Sequence, residues 1–196
     1  MINKISEKLT YKLIDNCVIN NDEYELYHYG LFLLLSEIWL LCYCLLVGAI
    51  LKILLPSILF YVIFFCVHRF SGGFHAKSEL HCQIITLSFF LTSIVVIKQS
   101  IKINPIILNA FYLCSSVILI TLSPADTPQK PLSKKENIFF RKITLLIVIL
   151  DFIAIVILNT KNMYLYANAI TVAVFLQSLS VVCGRLFNKK LLTNNT

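Results

Sequence analysis

Between positions 68 and 82 the chain reads HRFSGGFHAKSELHC, which gathers three of its four histidines, a cysteine and a Gly pair beside long apolar runs. Cysteine attacks as the thiolate, so a nucleophilic Cys82 needs something that lowers its pKa from about 8.5, either an imidazole neighbour or a helix N-terminus. Both are close in sequence. Ser78 is a suitable N-cap, Glu79 is favourable in a first turn, and a helix opening there carries Cys82 about one turn in, where the dipole still favours an anion. His75 lies ahead of that cap. In one continuous helix positions 75 and 82 would be roughly 10 Å apart along the axis, so a His75–Cys82 hydrogen bond requires the chain to bend between them. Gly72 and Gly73 supply the freedom for such a bend. Spacing alone leaves other readings open, since a lone cysteine at a helix start is commonly structural. His81, next to Cys82, points elsewhere on a helix, and His68 suits the end of an apolar run. A metal site of His68, His75, His81 and Cys82 is the sharper rival, yet its spacings match no zinc pattern.

The elements that must hold this segment are membrane helices. The chain has 196 residues, 58% hydrophobic and 14% charged, with a mean hydropathy of +0.82, whereas soluble domains carry roughly 25% charged residues. A water-soluble globule is excluded on composition. Six apolar stretches, at about 30–51, 53–67, 83–97, 105–122, 143–159 and 163–187, are candidate spans. The second, third and fifth fall short of the ~20 residues a span needs and are expected to tilt little, thin the bilayer or borrow flanking residues. Residues 2–19 place Ile2, Ile5, Leu9, Leu13 and Cys17 near one side of a helix, with Lys4, Lys8, Lys12 and Asp15 mostly off it. This predicts an amphipathic helix on the membrane surface or packed on the protein's own loops. The fold class is therefore all-α and polytopic, with about six transmembrane helices after an N-terminal amphipathic helix. It is expected to be one integral membrane domain over 1–196: an N-terminal helix and linker at 1–29, a bundle at 30–187 and a tail at 188–196.

Residues 1–29 are mixed and polar, without a cleavable signal pattern, so the spans themselves are expected to target the chain. If all six segments cross, thirteen of the 17 basic residues fall on one side, in the N-terminal segment, the 68–82 loop, the 123–142 loop and the tail. The positive-inside rule places that side in the cytoplasm, which gives the net charge of +7 a topological reading and makes nucleic acid an unneeded partner. The segment SPADTPQKPLSKKE, 123–136, holds three of the five prolines and is predicted to be an irregular loop. The seven cysteines show neither disulfide nor metal spacing. Glu37 and Asp151 sit in apolar surroundings, where an acid either bonds between helices or lines a polar path. A small transporter or channel using those two acids, and a scaffold that anchors another enzyme, are alternative functions to nucleophilic catalysis; Cys82 discriminates, being essential only where it is the nucleophile.

The stretch GGFHAKSELHC, with its Gly-Gly, its His-Ala and a cysteine seven residues after the histidine, resembles the signature of accessory gene regulator B (AgrB) peptidases. The Pro- and Lys-rich segment SPADTPQKPLSKKE is similar to that family's cytosolic loop and follows the same number of spans. The resemblance extends along essentially the whole chain. It implies a membrane-embedded cysteine endopeptidase that trims an AgrD-like quorum-sensing propeptide toward a cyclic thiolactone or lactone. It further implies that Cys82 is the nucleophile and His75 its base, that no cofactor or metal is required, and that Lys130, Lys134 and Lys135 bind substrate, although charge counting alone would assign them only to topology. A homodimer among membrane lipids is what the family suggests.

Overall fold

The computed structural model describes residues 2–73, 79–125 and 132–193; at 79–82, 101 and 187–193 it describes the backbone alone. Among the described residues seven α-helices follow one another: α1 Ile2–Asp15, α2 Tyr24–Ile50, α3 Leu54–Ser71, α4 Glu79–Gln99, α5 Pro105–Leu122, α6 Lys134–Thr160 and α7 Tyr164–Thr193. Single 3-10 turns at Asn21–Glu23 and Ser100–Lys102 precede α2 and follow α4. Five helices are long and apolar enough to cross a membrane, and the Gln83–Gln99 part of α4 is a shorter apolar helix. Leu46, Ile50, Ile106, Val117, Leu150 and Ile153 are among many large apolar side chains exposed on the protein surface. Such a surface suits hydrocarbon and not water, and the chain is an all-α polytopic membrane protein.

The predicted spans coincide with α2 to α7, and the three short ones lengthen by taking in flanking residues. The helix at α6 starts nine residues before the expected span. Ser133 caps it, its Oγ accepting from the Glu136 N–H at 3.3 Å while the Glu136 carboxylate accepts from the Ser133 N–H at 2.9 Å. This capping box satisfies two N–H groups that a helix start otherwise leaves open. The predicted irregular loop therefore ends at Ser133 and not at Glu136. At α5, Pro105 occupies the first turn and the Asn104 side chain accepts from Ile106 N–H at 2.9 Å.

Three helices stop in the same way. The left-handed residues Cys17, Lys52 and Asn162 (φ 55, 58 and 57°) follow α1, α2 and α6. At α2 the Ile53 N–H reaches the Gly48 carbonyl (2.9 Å) and the Lys52 N–H that of Ala49 (3.0 Å); at α6 Met163 reaches Leu158 (2.9 Å) and Asn162 reaches Asn159 (3.1 Å). This paired closure uses up carbonyls that would otherwise face an apolar environment, and it reverses the chain within a few residues. Cys17, expected on the apolar stripe of α1, thus serves the turn that ends it.

The chain divides into two compact units, Met1–Tyr43 and Cys44–Thr196. In the first, Tyr24 packs on Tyr11 and on His28, with ring centroids 5.2 and 5.5 Å apart. On α1 the buried positions are Ile2, Ser6 and Thr10, whereas Ile5 and Leu9 of the predicted stripe are 42% and 39% exposed. The Ser6 and Thr10 hydroxyls bond the helix's own carbonyls at 2.8 Å, which lets a polar pair be buried and leaves the larger apolar side chains outward.

In the second unit α7 is central and packs against α3, α4, α5 and α6. Ala167, Ala169 and Ala173 are buried along it, small residues that let neighbouring backbones approach. Val67, Tyr112, Leu119, Val148, Ile155, Ile170, Val174 and Val181 form the common core. Phe90 of α4 sits edge-on to Phe60 and Phe64 of α3, at 5.0 and 4.8 Å. One end of this unit is tied by Asn168, whose Nδ2 donates to the Ser100 hydroxyl at 2.8 Å.

Where α2 meets α3, a Cβ at Gly48 would stand 2.6 Å from Ser57 Oγ, 2.7 Å from Ser57 Cβ and 3.3 Å from the Leu54 Cα. Gly48→Ala should therefore push the two helices apart and cost about 1–3 kcal/mol of stability, read as a lower thermal midpoint in detergent. Adding Ser57→Ala should not restore it, because the Ser57 Cβ itself is in the way; full restoration would show that only the hydroxyl collides.

Candidate functional site

The signature segment begins at the last turn of α3. His68 is half-buried there, Arg69 is exposed and Ser71 is fully buried. The helix stops at Gly72, whose φ of 66° and ψ of −166° define a conformation open essentially to glycine alone. A Cβ on Gly72 would also run into the Ala125 carbonyl oxygen. Gly73 is buried for a different reason: a Cβ there would lie 2.5 Å from Ser180 Oγ and 3.0 Å from the His68 ring. The two glycines thus answer two separate demands, one of backbone conformation and one of close approach.

Close approach brings the two sequence motifs together. The Ala125 N–H donates to the Ser71 carbonyl at 2.9 Å, and Gly72 and Ala125 form an isolated parallel bridge. Ala125 belongs to the Pro-rich segment, which leaves α5 through Ser123 and a cis Pro124. Arg185 of α7 holds that exit: its Nε donates to the Leu122 carbonyl at 2.9 Å and its Nη2 to the Pro124 carbonyl at 3.1 Å. The last carbonyls of a helix lack internal partners, and the guanidinium fork takes one of them, that of Leu122, together with the Pro124 carbonyl just beyond the helix. The starts of both loops and Arg185 therefore lie at one end of the second unit. Along α7 that end is about 26 Å from Asn168 at 1.5 Å per residue, comparable to a hydrocarbon core.

Beneath the glycines lies Gln177, fully buried in α7. Its Nε2 donates to Ser71 Oγ at 2.7 Å and to the Gly72 carbonyl at 2.6 Å, and its Oε1 stands 3.1 Å from His68 Nδ1. The Gly72 carbonyl can only accept, so the amide nitrogen must face it, and Oε1 is left for the histidine. The hydrogen on His68 then sits on Nδ1. The His68 ring also stacks on Phe64, with centroids 5.5 Å apart.

Of the residues singled out in sequence, Gly72 and Gly73 are joined with His68 in this cluster. Cys82 is the fourth residue of α4, and its backbone lies one turn from the helix start at Glu79. His75, Ser78 and Lys130 lie outside the described residues, as do the side chains of His81 and Cys82. Lys134 and Lys135 are exposed in the first turn of α6. Among the described residues no group of His, Cys, Asp and Glu could hold a metal ion. Glu37 is half-buried in α2 of the first unit. Asp151 is buried in α6, and its Oδ2 has no hydrogen-bond partner among the described residues. Gln177 and Arg185 were not apparent from sequence reasoning; an amide in a largely apolar span, a feature Gln177 shares with Asn168, is the signal that would have marked the first.

The fold and this end of the bundle define a multi-pass membrane protein with one polar site, assembled from two loops and the final helix. The profile of the accessory gene regulator B family matches residues 6–181, and the chain belongs to that family. Among similar proteins, a putative AgrB-like protein 2 of Clostridium perfringens is 22% identical over 143 residues, covering 70% of this chain and 67% of that relative. A putative AgrB-like protein of Listeria innocua is 27% identical over 138 residues, 68% and 66% of the two chains. The accessory gene regulator protein B of Staphylococcus haemolyticus is 27% identical over 112 residues, 55% and 59% of the two. No solved structure matches the chain. Membership assigns it to the accessory gene regulator quorum-sensing system, in which the family works with the AgrD propeptide.

The two glycines should respond differently to alanine. Gly72→Ala is expected to cost about 1–3 kcal/mol through its backbone conformation, with no rescue from any neighbour. Gly73→Ala should be partly rescued by Ser180→Ala, which removes its nearest contact. Thermal midpoints of the four proteins in detergent would check this, and equal rescue of both glycine variants would overturn it.

Proposed function

We propose that the chain is a membrane-embedded cysteine endopeptidase that processes an AgrD-like propeptide, with Cys82 as nucleophile and His75 as its base. The observation that carries this reading is what flanks His75 in the sequence. On one side Gly73 is packed on His68 and Ser180, and on the other α4 begins at Glu79 with Cys82 one turn beyond. A cysteine one turn into a helix is in a field that favours the thiolate. Family membership supports the same assignment.

In this reading His75 takes the Cys82 proton and the thiolate sulfur attacks the carbonyl carbon of the scissile bond. Backbone N–H groups that the first turn of α4 leaves without helical partners stabilise the tetrahedral oxyanion. The C–N bond then breaks as His75 returns the proton to the departing amine, which leaves a thioester on Cys82. A nucleophilic side chain of the propeptide attacks that thioester, the ring closes as a thiolactone or lactone, and the proton it loses restores the Cys82 thiol. Exclusion of water by the surrounding bundle favours this closure over hydrolysis. The excess of basic residues beside both loops argues for a cytoplasmic site, with the propeptide approaching from that face. Lys130, Lys134 and Lys135 would attract its acidic residues.

In liposomes with a matched propeptide, mass spectrometry should find a propeptide fragment on Cys82 that hydroxylamine removes. The adduct should be absent in His75→Ala and in Cys82→Ser. Normal processing by Cys82→Ser would sink the peptidase reading and favour a transporter or a scaffold.

Replacing Lys134 and Lys135 together by glutamine should weaken propeptide capture several-fold at low ionic strength and much less near 0.5 M salt, where the screening length falls to about 4 Å. An equal loss at both salt concentrations would rule out electrostatic steering.

A further inference from the structure

We infer that Gln177 is a positioning residue for the signature loop, acting through the end of α3 on the segment that carries His75. This inference rests on the peptidase reading. Four observations carry it. The Gln177 side chain is fully buried in the central helix. Its amide satisfies three groups at once, the His68 ring, the Ser71 hydroxyl and the Gly72 carbonyl. All three lie within the last turn of α3 and the first residue after it, immediately before Gly73 and the loop. The Ser71 hydroxyl closes the set by donating to the Gly72 carbonyl at 3.3 Å.

The geometry has a directional consequence. Gly72 adopts a conformation in which its carbonyl turns back toward the bundle, and the Gln177 amide is what meets it there. Without the amide the Gly72 carbonyl would keep only the long 3.3 Å bond from the Ser71 hydroxyl, and because an under-satisfied buried carbonyl is costly the peptide after Gly72 would rotate toward another partner. Rotation at that peptide redirects everything downstream of it. The same amide fixes the His68 ring against which Gly73 packs. Gln177 therefore sets both the heading of the chain as it leaves α3 and the surface on which it lies. It touches no reacting atom in this scheme; its effect is on the geometry of the His75–Cys82 pair.

The test uses the full chain in liposomes and compares Gln177→Met, Ser71→Ala and Asn168→Leu. Methionine keeps the length and apolar packing of glutamine while removing its hydrogen bonds. Asn168→Leu removes a buried hydrogen bond near the start of the same helix, about 13 Å along the axis from Gln177, and serves as the control for general destabilisation. Gln177→Met should lower kcat for propeptide cleavage at least about tenfold with KM within about threefold, Ser71→Ala should lower it less, and Asn168→Leu should stay near the wild-type value. Hydrogen exchange at the Gly72 and Gly73 amides should quicken at least about tenfold in Gln177→Met and stay unchanged in Asn168→Leu.

Wild-type turnover and unchanged exchange in Gln177→Met would overturn the inference, as would losses that simply follow thermal stability across all three variants. If Gln177→Met fails to fold, Ser71→Ala decides: a fall in kcat with faster exchange supports positioning, and no change in either refutes it. Cys82→Ser in the same preparation separates the two claims. If it is inactive while Gln177→Met is fully active, only the positioning role falls; if it processes normally, the peptidase reading falls and this inference with it.

Discussion

A primary amide has two donors and an acceptor, and inside an apolar bundle each must find a protein partner because no solvent will supply one. Gln177 meets that demand only by reaching across from α7 to the end of α3, where it takes the Gly72 carbonyl, the Ser71 hydroxyl and the His68 ring together. The rest of this end of the molecule depends on that contact. With Gly72 held, the Ser71 carbonyl presents itself to the Ala125 N–H, and the second loop is bound to the first. Arg185, two turns further along α7, secures the same loop from the other side through the Leu122 and Pro124 carbonyls.

The arrangement explains why one helix is central. A helix that must bond to α3, to the exit of α5 and to the turn after α4 cannot lie at the edge of the bundle. Its small residues, Ala167, Ala169 and Ala173, allow that position by admitting neighbours on several sides. In a membrane this matters more than in water, because apolar faces gain nothing by leaving lipid for each other. Specific packing and polar pairs must supply the association. Along α7 the second of these devices acts at two levels, with Asn168 bonded to Ser100 in the second turn and Gln177 to the signature segment near the middle.

The same physics governs the turns. Helix ends near an apolar phase cannot leave carbonyls open, and at Cys17, Lys52 and Asn162 the chain closes them with its own next amides. None of these residues is glycine, so each turn bears a modest conformational cost in exchange for satisfied carbonyls and a quick reversal. The signature segment departs from this pattern. There the helix stops at a glycine, and the Gly72 carbonyl is met by the Gln177 amide of a different helix.

Much of this was legible in the residues themselves. A bilayer core demands about twenty apolar residues per crossing and forbids open backbone, so α2 to α7 follow from hydropathy alone. The start of α6 was equally available, since Ser133-x-x-Glu136 is a capping signature, but the surrounding lysines mask it on a hydropathy scale. The Gly-Gly pair announced a bend before the structure assigned the two glycines different tasks. The amphipathic pattern of α1 announced a helix and could not tell which sector is buried, because Ser6 and Thr10 hide their hydroxyls on their own backbone. What sequence could not supply was the union of the end of α3 with the final helix: His68 and Gln177 stand 109 positions apart, and no local periodicity encodes a bond between them. Hydropathy and capping are short-range and are written residue by residue, so the sequence by itself determined the helices. Which helix end meets which buried amide is settled only when all the helices compete for the same interior, and that was left to the tertiary structure.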